Sequence, residues 1–70
     1  MSAYVANKTA TAIQCRYHVG DVVTLRQLVR EVDCIVNTQQ AAVAMQRLIK
    51  AGKARPTLQI HRRNAYLILA

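Results

Sequence analysis

The residues best equipped for recognition chemistry lie between Asn37 and Gly52, in the stretch NTQQAAVAMQRLIKAG. Gln39 and Gln40 carry amides that donate and accept hydrogen bonds at once, and Arg47 and Lys50 carry fixed positive charge. Ala41, Ala44, Met45 and Leu48 recur at three- and four-residue steps, so the stretch predicts one helix with those residues on a shared face. Thr38, Gln39, Val43, Gln46, Arg47 and Lys50 lie mostly outside that face. Asn37 suits the N-cap, and Gln40 stands three residues later, where a capping box places Glu or Gln. Gly52 suits the left-handed residue that ends a helix, and Lys50 and Lys53 suit the negative end of its dipole. Small apolar residues behind, with amides and cations in front, fit a helix that rests on a core and enters a DNA groove. The same pattern also serves an ordinary amphipathic helix with a solvated polar face.

A second group of candidates is His61-Arg62-Arg63-Asn64. It lies between Thr57–Ile60, where Leu58 and Ile60 alternate with Thr57, Gln59 and His61, and the β-favouring run Tyr66-Leu67-Ile68-Leu69. The spacing predicts a hairpin with a basic tip, and Asn64 tolerates a positive φ in the turn. Pro56 lacks an amide proton and belongs at the start or edge of its strand.

Upstream elements must position these groups. Residues 1–6 are expected as a loose arm. Asn7 to about Tyr17 predicts a first helix with Ala10, Ile13 and Tyr17 on one face, although Thr9 and Thr11 lower its propensity. Gly20-Asp21 reads as a turn, and the β-branched Val22-Val23-Thr24 as a brief strand. Thr24 is a natural N-cap for Leu25–Val32, whose Leu25, Leu28, Val29 and Val32 form an apolar stripe. Glu31 is expected in surface contacts with Gln27 or Arg30. Asp33–Asn37 then joins two helices through a short turn, with Ile35 or Val36 plugging the corner, as in a helix-turn-helix.

Composition narrows the function. Seventy residues make one small domain, and although 53% are hydrophobic there is no Phe or Trp, so the core must be thin. Ten Lys and Arg stand against three acids, a net charge of +7, with a pI near 10.3. Such a balance attracts polyanions, nucleic acid first. No apolar run is long enough to span a membrane and no basic amphipathic helix suits a membrane surface. The start of the chain does not read as a signal peptide, so a cytoplasmic protein is expected. Cys15 and Cys34 lack metal-ligand spacing, and His18 and His61 do not complete a zinc set. The two thiols are expected free and partly buried, a single disulfide being the alternative. Asp21, Glu31 and Asp33 look like loop or surface positions, and there is no Gly-rich phosphate loop, carboxylate pair or Cys-His pair at usable spacing. The balance favours binding over catalysis, without metal or cofactor.

The predicted order of helix, short strand, helix, helix, strand, basic tip and strand, over roughly residues 7–70, resembles the winged helix-turn-helix fold of bacterial transcription regulators. Thr24, Leu28 and Val32 match the supporting helix, and Thr38-Gln39-Gln40-Ala41 opens the recognition helix. Leu48-Ile49-Lys50-Ala51-Gly52 is similar to the segment that precedes the first wing strand. Small size and the Arg62-Arg63-Asn64-Ala65-Tyr66 hairpin are further similar to the small fimbrial-operon regulators of enteric bacteria. The resemblance implies a small α+β domain of three helices with a C-terminal β-hairpin wing. It also implies sequence-specific binding of double-stranded DNA in a bacterial or phage, nucleoid-associated setting.

On that resemblance the helix over about 38–51 enters the major groove. Gln39 and Gln40 are the first candidates for base edges, since Gln bonds adenine N6 and N7 together; Gln40 is equally suited to the capping box. Thr38 reaches a phosphate through its hydroxyl. Val43 meets a thymine methyl, joins a protein contact or is simply half-buried. Arg47 and Lys50 touch phosphates, which set position rather than sequence preference. Arg62 and Arg63 reach the adjacent minor groove or its flanking phosphates. Lys8, Arg16, Arg26 and Arg30 are spread over the supporting helices, so only some of them can face DNA. A domain this small covers a short half-site, so a homodimer or a partner regulator is expected. The competing class is a winged-helix adaptor that binds protein instead, through Ala42, Val43 and Ile49. RNA binding lacks an exposed aromatic pair for stacking.

Overall fold

The chain runs α1 (Ala3–Arg16), β1 (Val22–Thr24), α2 (Leu25–Glu31), α3 (Thr38–Lys50), β2 (Ala54–Ile60) and β3 (Arg63–Ile68). The computed structural model describes the backbone of residues 3–60 and 63–70, and the side chains of 7–58 and 64–70. It is a small α+β domain of three helices and a three-stranded antiparallel sheet.

Both ends of α3 are fixed by the chemistry its sequence announces. The Asn37 side-chain oxygen accepts from the Gln40 backbone N–H at 2.8 Å, and Gln40 Oε1 accepts from the Val36 N–H at 3.0 Å. The first bond satisfies a backbone donor that the helix start leaves unpaired, and the second ties the Gln40 side chain back to the residue before the cap. At the other end Gly52 sits at φ 74°. Its N–H reaches Ile49 O at 3.0 Å while Lys53 N–H reaches Leu48 O at 2.8 Å. That crossed pair is a Schellman stop, and it requires the left-handed residue that glycine supplies.

The inward face of α3, made of Ala41, Ala44, Met45 and Leu48, is at most 2% exposed. It packs in one cluster with Ala10, Ile13 and Tyr17 of the α1 segment, Val23, Leu28 and Val32, and Ala54, Tyr66 and Ile68 of the sheet. Of the two candidates for the corner between α2 and α3, Ile35 is buried at 1% and Val36 is 68% exposed. Thr24 Oγ1 caps α2 by accepting from Gln27 N–H at 3.2 Å.

Helix α1 starts earlier than the sequence implies, inside the stretch expected as a loose arm. Its amphipathicity is weak, and Ala3, Tyr4, Val5 and Ala6 hold no Gly or Pro to stop it, so apolar spacing could not locate its start. Thr11 is accommodated by back-bonding to Asn7 O at 3.0 Å, and Thr9 is buried.

The sheet order is β1-β3-β2, so the last strand lies in the centre. Strand β1 pairs Val22 with Leu67 and Thr24 with Ala65. On the other side, Ala54 pairs with Ile68 and Thr57 with Ala65. Pro56 stands on the edge strand β2, where its missing N–H breaks no ladder. The register slips by one residue between Thr57 and Ile60, a β-bulge. Leu58, expected on an apolar face, lies at that bulge and is 86% exposed. Pro56, two residues earlier on the same alternation, is exposed as well, so this part of the edge strand runs beyond the core.

Glu31 ties α1 to α2 rather than bonding Gln27 or Arg30. Its carboxylate accepts from Tyr17 Oη at 3.2 Å and pairs with Arg16 at 3.3 Å. Arg16 also stands 5.4 Å from the Tyr17 ring centre, within cation–π range. Burial pushes the Tyr17 phenol up to about 12, helped by the Glu31 charge and the hydrogen bond it receives.

Two predictions follow from these contacts. Asn37→Ala removes the α3 cap and should lower unfolding stability by about 1 kcal/mol in urea titrations at unchanged m-value; no change would show that the cap contributes nothing. A folded-state phenol pKa above the unfolded value means the folded state holds its proton longer. The Tyr17 contribution is therefore present below about pH 10 and is lost as pH rises towards about 12. Alkaline ultraviolet titration should show one late tyrosine that Tyr17→Phe removes. Removal of a component that titrates near 10 would contradict the Tyr17–Glu31 link.

Candidate nucleic-acid interface

Helix α3 turns one polar stripe outward. Gln39, Val43, Gln46 and Lys50 follow each other at steps of four, three and four, and all four are exposed. Thr38 and Arg47 flank the stripe and are exposed too. Val43 is 36% exposed, which leaves its methyl groups available in the middle of the amides. Gln46 was not among the expected contact residues. Its position three after Val43 and four before Lys50 was the signal that would have included it.

Gln40 does not join the stripe. It is half-buried, and its amide oxygen is engaged by Val36 N–H. Bidentate recognition of adenine needs both the oxygen and the nitrogen of the amide. With its oxygen turned to Val36 and the side chain half-buried, Gln40 is held at the helix start, so of its two expected uses the capping one is formed.

Charge is distributed unevenly around this face. No acid stands on α3, and its last turn carries Arg47 and Lys50. Among the described residues the ion pair is Arg16 with Glu31, at 3.3 Å, and it involves no residue of α3. Asp21 accepts from His18 N–H at 2.9 Å and closes the turn before β1. The cations of α3 therefore have no neutralising partner among the described residues.

Two recesses border the stripe. An open groove of about 810 Å³ runs between α1 and the C-terminal half of α3, with Ala10, Gln14, Ala42, Val43, Arg47 and Lys53 among its walls. A smaller cleft of about 250 Å³ lies at the other end, lined by Thr24, Leu25, Arg26, Thr38 and Asn64. Thr38, Gln39, Val43, Arg47 and Lys50 are thus all exposed on α3, with Gln39, Val43 and Lys50 on the stripe and Thr38 and Arg47 to either side of it. Arg62 lies outside the described residues, as does His61. Arg63 begins β3, and its side chain is also outside the described set.

Cys15 and Cys34 are free, and both are exposed rather than partly buried. Cys15 lies on α1 between Ile13 and Tyr17 in sequence, and those two residues point into the core. Cys34 precedes Ile35, which takes the buried corner. Among the described residues no group of three His, Cys, Asp or Glu side chains could hold a metal ion, and no helix is long and apolar enough to cross a membrane.

Comparison of the chain with protein-family models, with curated proteins and with solved structures yields no match.

Proposed function

We propose that the chain binds double-stranded DNA as a small winged helix-turn-helix transcription regulator. Helix α3 lies in the major groove, and the β2–β3 hairpin acts as the wing on the flanking backbone or minor groove. The observation that carries this reading is the exposed stripe Gln39, Val43, Gln46 and Lys50, on a helix without a single acid. Gln39 and Gln46 have complete amides and serve as the base readers. Val43 meets a thymine methyl between them. Arg47 and Lys50 hold phosphates, and Arg62 and Arg63 extend the contact from the hairpin tip.

Two copies or a partner regulator would complete a site longer than one helix reads. Strand β3 is paired on both sides, so it offers no free edge to a second copy. The face of the sheet that carries Val22, opposite Leu67, remains for such a contact; Val22 is 40% exposed.

The other reading is an adaptor that binds protein through α3. The groove beside α1 favours it, since Ala10, Ala42, Val43 and Leu48 give that groove apolar walls. Salt separates the two. Four phosphate contacts give a log–log slope of about −3.6, so duplex affinity should fall on the order of a hundredfold from about 50 to about 200 mM salt. Fluorescence anisotropy with a labelled duplex reads this directly. Gln39→Ala and Gln46→Ala should each relax preference at one base position by about tenfold, whereas Arg47→Ala should weaken all duplexes alike. Absence of duplex binding at low salt would favour the adaptor.

A further inference from the structure

We infer that the cleft among Thr24, Leu25, Arg26, Thr38 and Asn64 seats one backbone phosphate of duplex DNA, with Arg26 as the anchoring charge. The inference rests on the DNA-binding reading and adds to it a contact site on α2, outside the recognition helix and the basic tip.

Three elements meet at this cleft. Arg26 comes from α2, Thr38 is the first residue of α3, and Asn64 stands on β3 beside the hairpin tip. All three are exposed, and none of their side chains makes a hydrogen bond or ion pair among the described residues. Thr24 differs, because its hydroxyl already accepts from Gln27 N–H. The free groups are a guanidinium, a hydroxyl and a side-chain amide, and no carboxylate lines the cleft. A planar guanidinium fork matches two phosphate oxygens, while the hydroxyl and amide supply neutral donors. A small oxyanion with several acceptor oxygens is the ligand that this set satisfies.

Position makes that oxyanion a phosphodiester of the bound duplex. Thr38 immediately precedes Gln39, the first member of the reading stripe. A duplex whose bases meet Gln39 carries its backbone past that end of α3. At the opposite end Arg47, Lys50 and Lys53 line the groove beside α1. The stripe is therefore bracketed by a cationic recess at each end. Arg30 also lies on α2 but does not line the cleft, so the two arginines differ in location while sharing charge and helix.

The test compares Arg26→Gln with Arg30→Gln in the full chain, using a labelled mixed-sequence duplex titrated with salt. Losing one seated phosphate should make the log–log slope shallower by about 0.9. Affinity should fall by about tenfold for Arg26→Gln and by less than about twofold for Arg30→Gln, whose charge is screened by solvent. Asn64→Ala should weaken binding by about threefold at unchanged slope, since it removes a neutral donor. All these losses should be the same on unrelated duplex sequences. Equal effects of Arg26→Gln and Arg30→Gln would overturn the seat, reducing Arg26 to general positive charge, while leaving DNA binding intact. Failure of the wild-type chain to bind duplex at low salt would overturn the seat and the DNA-binding reading together.

Discussion

Burial of the inner face of α3 is the constraint on which the remaining structure depends. A chain with no Phe or Trp cannot fill a core with large rings. It brings backbones together instead. Ala41 and Ala44, both at 0% exposure, let α3 sit close to its neighbours, and Met45 and Leu48 fill the space on either side. Each of those larger side chains stabilises the fold by about 2 kcal/mol through burial. Because inward residues take the apolar side of α3, its outward side is free to carry amides and cations without cost to packing. The Asn37 cap and the Gly52 stop fix the length of that presented surface.

Local signals made α3 and α2 readable in the sequence, because caps, stops and three-to-four spacing act within a few residues. The first helix was harder. Ala-rich, weakly amphipathic sequence permits helix without marking where it begins, so its start fell inside the presumed arm. The pairing of β1 with β3 joins Val22 to Leu67. No local pattern records a contact over that separation, and β1 by itself was only a brief β-branched run. Glu31 was misread for the same reason: its partners Arg16 and Tyr17 lie on another helix. The bulge near Leu58 likewise depends on which residues oppose it. In the candidate interface, the members of the stripe were visible individually. Gln46 was passed over although its spacing included it, and the use of Gln40 in the cap was one of two readings that only geometry could separate.

Electrostatics follow a comparable division. The three acids are few enough that their placement decides where positive charge remains. Asp21 is engaged in a turn and Glu31 in the α1–α2 link. An exposed pair such as Arg16–Glu31 adds at most about 1 kcal/mol to stability. Arg47 and Lys50 form no ion pair among the described residues, and their field acts over roughly 10 Å at moderate ionic strength. The same unbalanced charge that slightly opposes folding would attract a polyanion to this face.

On the DNA-binding reading proposed above, the engagement of Gln40 limits how much sequence one copy would read. If Gln39 and Gln40 both met bases, two adjacent residues on different sides of α3 would have to face the groove. With Gln40 holding the cap, the complete amides on the outer face are those of Gln39 and Gln46. Seven residues of helix separate them by about 10 Å, and successive bases on a strand stand about 3.4 Å apart. As base readers they would address positions about three steps apart, with Val43 between them. Such a short segment recurs often in any genome, and each reader discriminates by only about 1–3 kcal/mol. On the proposed DNA-binding reading, selective regulation through this helix would require contacts that multiply its reading, from a second copy or a partner protein, while phosphates on either side would hold the helix in register.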